Sequence, residues 1–250
     1  MSKLFYKKFK NQKLTELLYL KSTKNTTKIR LLWKRGGNMK AIIFDLDGTL
    51  VDSMKYWRSV SRDFMKTKGI DIEDAVQHKM TTMNLDASLK YLREYYKLEE
   101  SFDELIRDFS KTVEDFYTNK VELKENSLEI LKFFKDQGKK VVIGTSTADH
   151  FANIVIKKYG IDKLVDGLYT ADSVGHLKAD EEFYLSIANS LKENPDEILL
   201  VDDSYLALRT AKKAGLKTVG IYDENSKDTW KTIVEENENS LENLIDLKKL

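Results

Sequence analysis

The sequence predicts an α/β fold, a doubly wound parallel sheet with a helical segment inserted near one end of the chain. From Lys40 onward, short apolar runs alternate with amphipathic helical stretches, which is the order found in parallel sheets with helices on both faces. Residues 54–125 interrupt this order, because they contain helical patterns and no convincing strand.

Four short apolar runs predict the strands of the sheet. They are Ala41–Phe44, Val141–Ile143, Ile198–Val201 and Lys217–Ile221, and each pattern is typical of a strand buried on both faces. Four amphipathic stretches predict helices at Ser127–Gln137, Ala148–Tyr159, Ala179–Leu191 and Ser204–Ala214. Three of these stretches are followed by a glycine, which commonly ends a helix.

The inserted segment, residues 54–125, carries about four helical patterns. One begins with the capping box Ser101-Phe102-Asp103-Glu104 and continues with apolar residues at helical spacing. We expect this apolar stripe to be core rather than a ligand groove. The predicted organisation is a basic leader at 1–38, a core formed by 39–53 and 126–250, and a helical domain at 54–125.

Composition excludes several classes of protein. The chain is 41% hydrophobic and 33% charged and has one proline, which indicates a globular protein. It has no cysteine, which excludes a disulfide scaffold, a thiol nucleophile and a zinc site built on thiolates. No apolar run approaches the roughly 18 residues of a membrane span. We therefore expect a cytoplasmic protein without a membrane partner.

Charge is distributed unevenly along the chain. Residues 1–38 carry a formal charge of +10, and residues 39–250 carry −9. The acidic body argues against a nucleic-acid partner, because phosphate binding requires a basic surface. The leader could be an organellar transit peptide or a nucleic-acid arm. Our preferred hypothesis is that the native protein begins at Met39, because the codons for Arg35 to Asn38 can form a purine-rich ribosome-binding sequence just before a start codon. The leader would then be non-native or disordered.

Carboxylates follow two of the predicted strands. Asp45 and Asp47 come after the first strand, and Asp202 and Asp203 come after the third. Ligands of open α/β sheets bind at the carboxyl ends of the strands, and carboxylates at one edge repel each other unless a cation or a shared proton compensates their charge. Oxygen ligands favour Mg²⁺. The alternative is that the first pair only forms a turn and the second only caps a helix.

The segment after the first strand, Phe44-Asp45-Leu46-Asp47-Gly48-Thr49-Leu50-Val51-Asp52-Ser53, resembles the first motif of the haloacid dehalogenase-like superfamily. Val141–Thr147, Lys178 and Leu199–Ser204 resemble its second, third and fourth motifs, in that order. Together they span residues 41–221, and the insertion at 54–125 lies where this family has its helical cap. The resemblance implies a Rossmann-like core with a cap, Mg²⁺ and phosphoryl chemistry.

The resemblance also implies catalytic roles. Asp45 would attack phosphorus to form an aspartyl-phosphate, and Asp47 would be the general acid and base. Lys178 would neutralise charge that develops on the phosphoryl oxygens. The sequence departs from the family at this third motif, because Ala179 replaces the usual proline and Leu177 replaces the usual glycine. The loop around Lys178 is therefore expected to have a different shape.

The remaining implied roles concern binding. Thr145, Ser146 and Gly48 would hold the phosphoryl group. The implied metal-binding residues are Asp45, Asp47, Asp202 and Asp203, with Asp47 contributing its carbonyl oxygen and Asp202 helping indirectly.

The implied function is a Mg²⁺-dependent phosphatase for a small phosphorylated metabolite of the sugar or polyol phosphate class. Two alternatives stay open, a β-phosphoglucomutase-like phosphosugar mutase and a catalytically silent binding protein on the same fold. Trp57 favours hydrolysis, because related mutases have a gating histidine at this position; we expect Trp57 to pack at a hinge, although its ring could also stack on a substrate. The expected oligomeric state is a monomer or a weak homodimer.

Overall fold

A computed structural model describes residues 39–80, 83, 85–237 and 239–249 of the chain. The basic leader, residues 1–38, and the three interpretations of it lie outside the described residues. Within the described part, no helix is long and apolar enough to cross a membrane.

The centre of the fold is a six-stranded sheet in which every neighbouring pair is parallel. The strand order is β3-β2-β1-β4-β5-β6. The strands are β1 (Ala41–Phe44), β2 (Lys140–Thr145), β3 (Gly167–Thr170), β4 (Ile198–Asp202), β5 (Lys217–Ile221) and β6 (Ser240–Leu241). This order confirms the predicted doubly wound sheet. The four predicted strands are present, whereas β3 and β6 have no counterpart in the prediction.

Helices cover the sheet and form the insertion. They are α1 (Met54–Thr67), α2 (Asp74–Met80), α3 (Leu85–Tyr95), α4 (Phe102–Asp115), α5 (Ser127–Asp136), α6 (Asp149–Lys158), α7 (Ala171–Val174), α8 (Glu181–Leu191), α9 (Tyr205–Lys213) and α10 (Lys227–Glu236). Short 3₁₀ turns lie at Ile161–Lys163, Pro195–Glu197, Glu224–Ser226 and Leu244–Lys249. A π-helical turn, Phe116–Lys120, follows α4.

Three helices begin later than the sequence predicts, α6 and α9 by one residue and α8 by two. Helix α8 starts at Glu181 rather than Ala179, because the residues before it form a turn in which the Asp180 N–H donates to the Leu177 carbonyl over 2.8 Å. The Asp180 carboxylate also accepts from the Leu177 N–H at 3.3 Å. This turn holds Lys178 between the end of α7 and the start of α8.

Helices α1 to α4 and the π-helical turn lie between β1 and β2 in the chain, and we call them the helical cap. Helix α4 begins with the predicted capping box: the Ser101 hydroxyl accepts from the Glu104 N–H, and the Glu104 carboxylate accepts from the Ser101 N–H at 2.9 Å. The predicted apolar stripe of α4 is core, since Phe109 is buried and its ring meets that of Phe64 in α1 at 5.4 Å.

The sheet is buried on both faces, as the continuous apolar runs predict. On one face, Ile42 and Phe44 belong to a core that continues into the helical cap. On the other face, Ile43 packs in a core that includes Phe183 and Ile187 from α8. Strand β1 is therefore fixed at the centre of the sheet, and the residues that follow it are carried to the middle of the carboxyl edge.

Candidate active site

The loop after β1 begins as a continuation of the sheet. The Asp45 N–H donates to the Val201 carbonyl at 2.9 Å, which holds Asp45 beside the end of β4. The chain then turns at Gly48, where φ is +84°, a conformation that favours glycine. A Cβ atom at Gly48 would lie 2.8 Å from the Asp203 carboxyl carbon, so the turn also needs glycine for space.

Lys178 lies at the bottom of the site between two carboxylates. Its Nζ donates to Asp45 Oδ1 and to Asp202 Oδ2, each at 2.6 Å, and all three side chains are buried. Burial lowers the pKa of Lys178, but the charges of Asp202 and Asp45 outweigh this effect and raise its pKa overall. Lys178 is therefore a permanent cation. Only 8% of the residue is exposed.

Three buried carboxylates meet at this edge. Oxygens of Asp45, Asp202 and Asp203 lie within 4.8 Å of one another. Burial raises the pKa of Asp203 to about 7, and repulsion from Asp202 adds to the effect. Burial likewise raises the pKa of Asp45, against the opposing charge of Lys178. One ammonium group does not balance three carboxylates, so the cluster fits a hard cation with oxygen ligands.

Asp47 is held by hydroxyl groups rather than by a cation. Its Oδ1 accepts from the Ser53 hydroxyl at 2.5 Å and from the Tyr117 hydroxyl at 2.6 Å. Its Oδ2 accepts from the Thr147 hydroxyl at 2.6 Å. These donors come from the loop after β1, the π-helical turn and the loop after β2. The carboxylate is therefore fixed in one orientation by three separate parts of the chain.

Tyr117 carries the contact from the helical cap to Asp47. It is fully buried, its ring stacks on Phe151 of α6 at 6.0 Å, and its hydroxyl accepts from Trp57 Nε1 at 3.1 Å. Burial, together with the charge of Asp47, raises the pKa of Tyr117 well above its usual value, so the hydroxyl stays protonated and can donate. Trp57 packs against Phe116 edge-on.

The residues predicted to hold a phosphoryl group have different surroundings. Thr145 is buried and its hydroxyl accepts from the Thr147 N–H at 3.1 Å, which shapes the loop after β2, whereas Ser146 is exposed. Thr145 and Ser146 both line a cavity that Asp45 also lines. Gly48 is not among the residues that line it, so its contribution stays a prediction.

A cavity of about 930 Å³ opens above these groups, between the helical cap and the edge of the sheet. The predicted residues that line it are Asp45, Asp47, Thr145, Ser146, Lys178, Asp202 and Asp203. The structure thus brings seven of the eight predicted site residues to one cavity.

Lys124, which the sequence did not single out, supports the loop after β1 from behind. Its Nζ donates to the Gly48 carbonyl at 2.6 Å, the Tyr222 carbonyl at 2.9 Å and Asp223 Oδ2 at 2.9 Å. Another missed contact is that of Ser226, whose hydroxyl donates to Asp203 Oδ2 at 2.6 Å. Tyr222, Asp223 and Ser226 come from the loop after β5, and no spacing in the sequence relates them to the motif residues.

The fold and the cavity define an α/β enzyme whose candidate catalytic groups lie at the carboxyl edge of a parallel sheet, beneath a helical cap. Residues 42–221 match the sequence profile of the haloacid dehalogenase-like hydrolases, and the chain belongs to this family.

Curated relatives and solved structures agree with this assignment. The chain is 23% identical over 181 residues to a phosphorylated carbohydrates phosphatase of Thermotoga maritima, covering 72% of this chain and 84% of the relative. It is 27% identical over 184 residues to the pyrophosphatase PpaX of Bacillus cereus, covering 73% and 83%. A Thermotoga maritima crystal structure with the provisional name β-phosphoglucomutase superimposes with a TM-score of 0.73 at 21% identity, covering 84% of this chain and 99% of that one.

Proposed function

We propose that this protein is a Mg²⁺-dependent phosphatase that hydrolyses a small phosphorylated metabolite, of the sugar or polyol phosphate class, through an aspartyl-phosphate. The observation that carries the proposal is the convergence of Asp45, Asp47 and Lys178 on one cavity. Relatives named as a phosphatase of phosphorylated carbohydrates and as a pyrophosphatase support the same chemistry.

Each reacting group has a defined part in the proposed hydrolysis. An Asp45 oxygen forms a bond to phosphorus as the bond between phosphorus and the ester oxygen breaks, and Asp47 gives a proton to that oxygen. Water then attacks phosphorus and gives a proton to Asp47, and the bond between phosphorus and Asp45 breaks to release phosphate. Lys178 stays protonated in both steps and offsets the negative charge near Asp45.

The carboxylate cluster fits Mg²⁺, because its three members are buried and a single lysine does not balance their charge. Asp45 and Asp203, with the Asp47 carbonyl, would hold the ion, and Asp202 would act through Lys178. When bound, Mg²⁺ polarises phosphoryl oxygens and offsets negative charge at phosphorus.

Release of inorganic phosphate from p-nitrophenyl phosphate and from a panel of sugar and polyol phosphates tests the proposal. We expect release with Mg²⁺ and a loss of activity on treatment with EDTA that added Mg²⁺ reverses. Asp45→Asn should lower turnover by about a thousandfold or more, because an amide cannot form the acyl-phosphate. Asp52→Asn is the matched control, since Asp52 lies in the same loop, pairs with Lys55 and does not line the cavity. Near-native turnover by Asp45→Asn would disprove the aspartyl-phosphate route.

A phosphosugar mutase is the second candidate, favoured by the similarity to the structure with the provisional name β-phosphoglucomutase. Hydrolysis is preferred because Trp57 donates to Tyr117 and has no titratable group that could gate Asp47. We expect hexose 1-phosphates to yield free sugar and phosphate. Formation of glucose 6-phosphate from β-glucose 1-phosphate faster than phosphate is released, with a bisphosphate activator present, would establish the mutase instead.

A further inference from the structure

The cavity has an acidic floor and an apolar mouth. The described residues include five large hydrophobic side chains that are strongly exposed, and three of them, Leu85, Leu177 and Leu206, line this cavity with exposures of 47%, 63% and 54%. They come from the helical cap, the turn before α8 and the first turn of α9. Met54, Trp57 and Phe151 extend the apolar lining. Such a concentration of exposed apolar groups marks a surface that is covered when a ligand binds.

The positive charge that the described residues place in the cavity already has carboxylate partners. Among the described lining residues, Lys178 is the one cationic side chain, and its Nζ is held between Asp45 and Asp202. Arg58 follows Trp57 along α1, but its guanidinium donates to the Glu224 carbonyl and is not part of the lining. A second anionic group on a substrate would therefore meet apolar side chains and neutral polar ones such as Asn225 and Thr229, but no charged partner among the described lining residues. Burying an anion there would be unfavourable.

We infer that the enzyme selects phosphate monoesters whose leaving group is uncharged and presents an apolar face, such as the C–H face of a sugar or an aromatic ring, and discriminates against substrates with a second phosphate or a carboxylate. This inference rests on the proposed phosphatase function and specifies its substrate class. The phosphoryl group is bound at the acidic floor with Mg²⁺ and Lys178, and the leaving group is bound by the apolar mouth.

A pair of nearly isosteric esters tests the inference on the full chain. The probes are 4-carbamoylphenyl phosphate, which is neutral beyond its phosphate, and 4-carboxyphenyl phosphate, which carries a second anion. We expect kcat/KM to be at least about tenfold higher for the neutral ester, because the charged one loses hydration without gaining a cationic partner. Glucose 6-phosphate and glucose 1,6-bisphosphate form a second pair for which the same order is expected.

A charge introduced at the mouth gives the reciprocal test. Leu206→Lys should lower the preference for the neutral ester by about threefold or more, since it supplies a cation close to the second anion. Val234→Lys is the matched control, because Val234 is also an exposed hydrophobic residue but does not line the cavity, and it should keep the preference unchanged. The comparison of the two esters by the unmodified enzyme decides the inference even if Leu206→Lys fails to fold.

Failure of the inference and failure of the proposed function have different signatures. If phosphate is released from both esters with equal efficiency, or faster from the charged one, the inference is wrong and the phosphatase stands. If no ester, including p-nitrophenyl phosphate, releases phosphate with Mg²⁺ present, the proposed function is wrong and the inference falls with it.

Discussion

Replacing Tyr117 with phenylalanine removes one hydroxyl that lies 2.6 Å from Asp47 Oδ1 and keeps the buried ring. A hydrogen bond to a charged group contributes about 1.5–3 kcal/mol. Asp47 retains its bonds from Ser53 and Thr147, so we expect only part of this energy to be lost from the transition state. A loss of about 1.4 kcal/mol corresponds to a tenfold lower kcat. Because Tyr117 does not line the cavity, KM should change by less than about twofold.

The assay compares two esters, because Tyr117 acts through Asp47 rather than on the substrate. The proton from Asp47 matters most when the leaving group is basic. The fall in kcat should therefore be larger for an alkyl phosphate than for p-nitrophenyl phosphate, whose leaving group needs no proton at neutral pH. A purely structural defect would lower both rates equally.

Stability provides the second measurement. The substitution leaves Trp57 Nε1 without its acceptor, at a cost of about 1–3 kcal/mol, which for a chain of this size lowers Tm by about 2–12 °C. Tyr56→Phe is the matched control, since the Tyr56 hydroxyl donates to the Lys120 carbonyl in the same turn without reaching Asp47. If Tyr117→Phe lowers Tm but leaves kcat for the alkyl phosphate within twofold of the Tyr56→Phe value, the positioning role of Tyr117 is refuted.

The remaining predictions concern Gly48, the ion pair of Lys124, and the leader. Gly48→Ala should lower Tm and raise the Mg²⁺ concentration needed for half-maximal activity, because the added Cβ would lie 2.8 Å from the carboxyl carbon of Asp203 in the proposed metal site. Gly138→Ala is the control. Gly138 also has a positive φ, +72°, but no neighbour within 4 Å, so this substitution should leave the Mg²⁺ requirement unchanged. An equal Mg²⁺ requirement in both variants would contradict this reasoning. Lys124→Met should reduce the free energy of unfolding at pH 7 by about 2–3 kcal/mol. Burial raises the pKa of Asp223, but hydrogen bonds from the backbone and Lys124 hold this pKa below its usual value. Urea unfolding should therefore show that the difference in free energy of unfolding between the unmodified protein and Lys124→Met becomes smaller as the pH falls below about 4. A difference that is independent of pH would exclude this ion pair as its source. A chain without residues 1–38 should keep full activity and Tm, and a fall in Tm of more than a few degrees would show that the leader packs on the domain.

The sheet and its acidic edge could be predicted because both have strong local signals. Strand β1 is a continuous apolar run that ends at Asp45, and the rule that parallel strands share one carboxyl edge places Asp203 nearby. Strand β3 gave no such signal, since Gly167–Thr170 is short and mostly half-buried. Strand β6 consists of two residues, which is too short for any periodicity.

The partners of Asp47 could be predicted only in part. Ser53 and Thr147 lie within the motif segments, although the sequence gives their side chains no orientation. Tyr117 is separated from Asp47 by 70 residues, and the sequence around it predicts only a buried aromatic residue of the cap. Its contact depends on how the cap returns to the core, which no local pattern encodes.

The contact between the cap and Asp47 depends on the number of residues in the π-helical turn. In this turn the Val121 N–H donates to the Phe116 carbonyl at 2.8 Å, five residues back, so the turn holds one residue more than an α-helical turn would. Each residue of an α-helix rotates its side chain by about 100° from the previous one. Removing one residue after Tyr117 in this turn would therefore leave Asp47, Ser53 and Thr147 intact and still turn Tyr117 away from Asp47. A deletion outside every motif would then weaken the acid and base to the same extent as Tyr117→Phe.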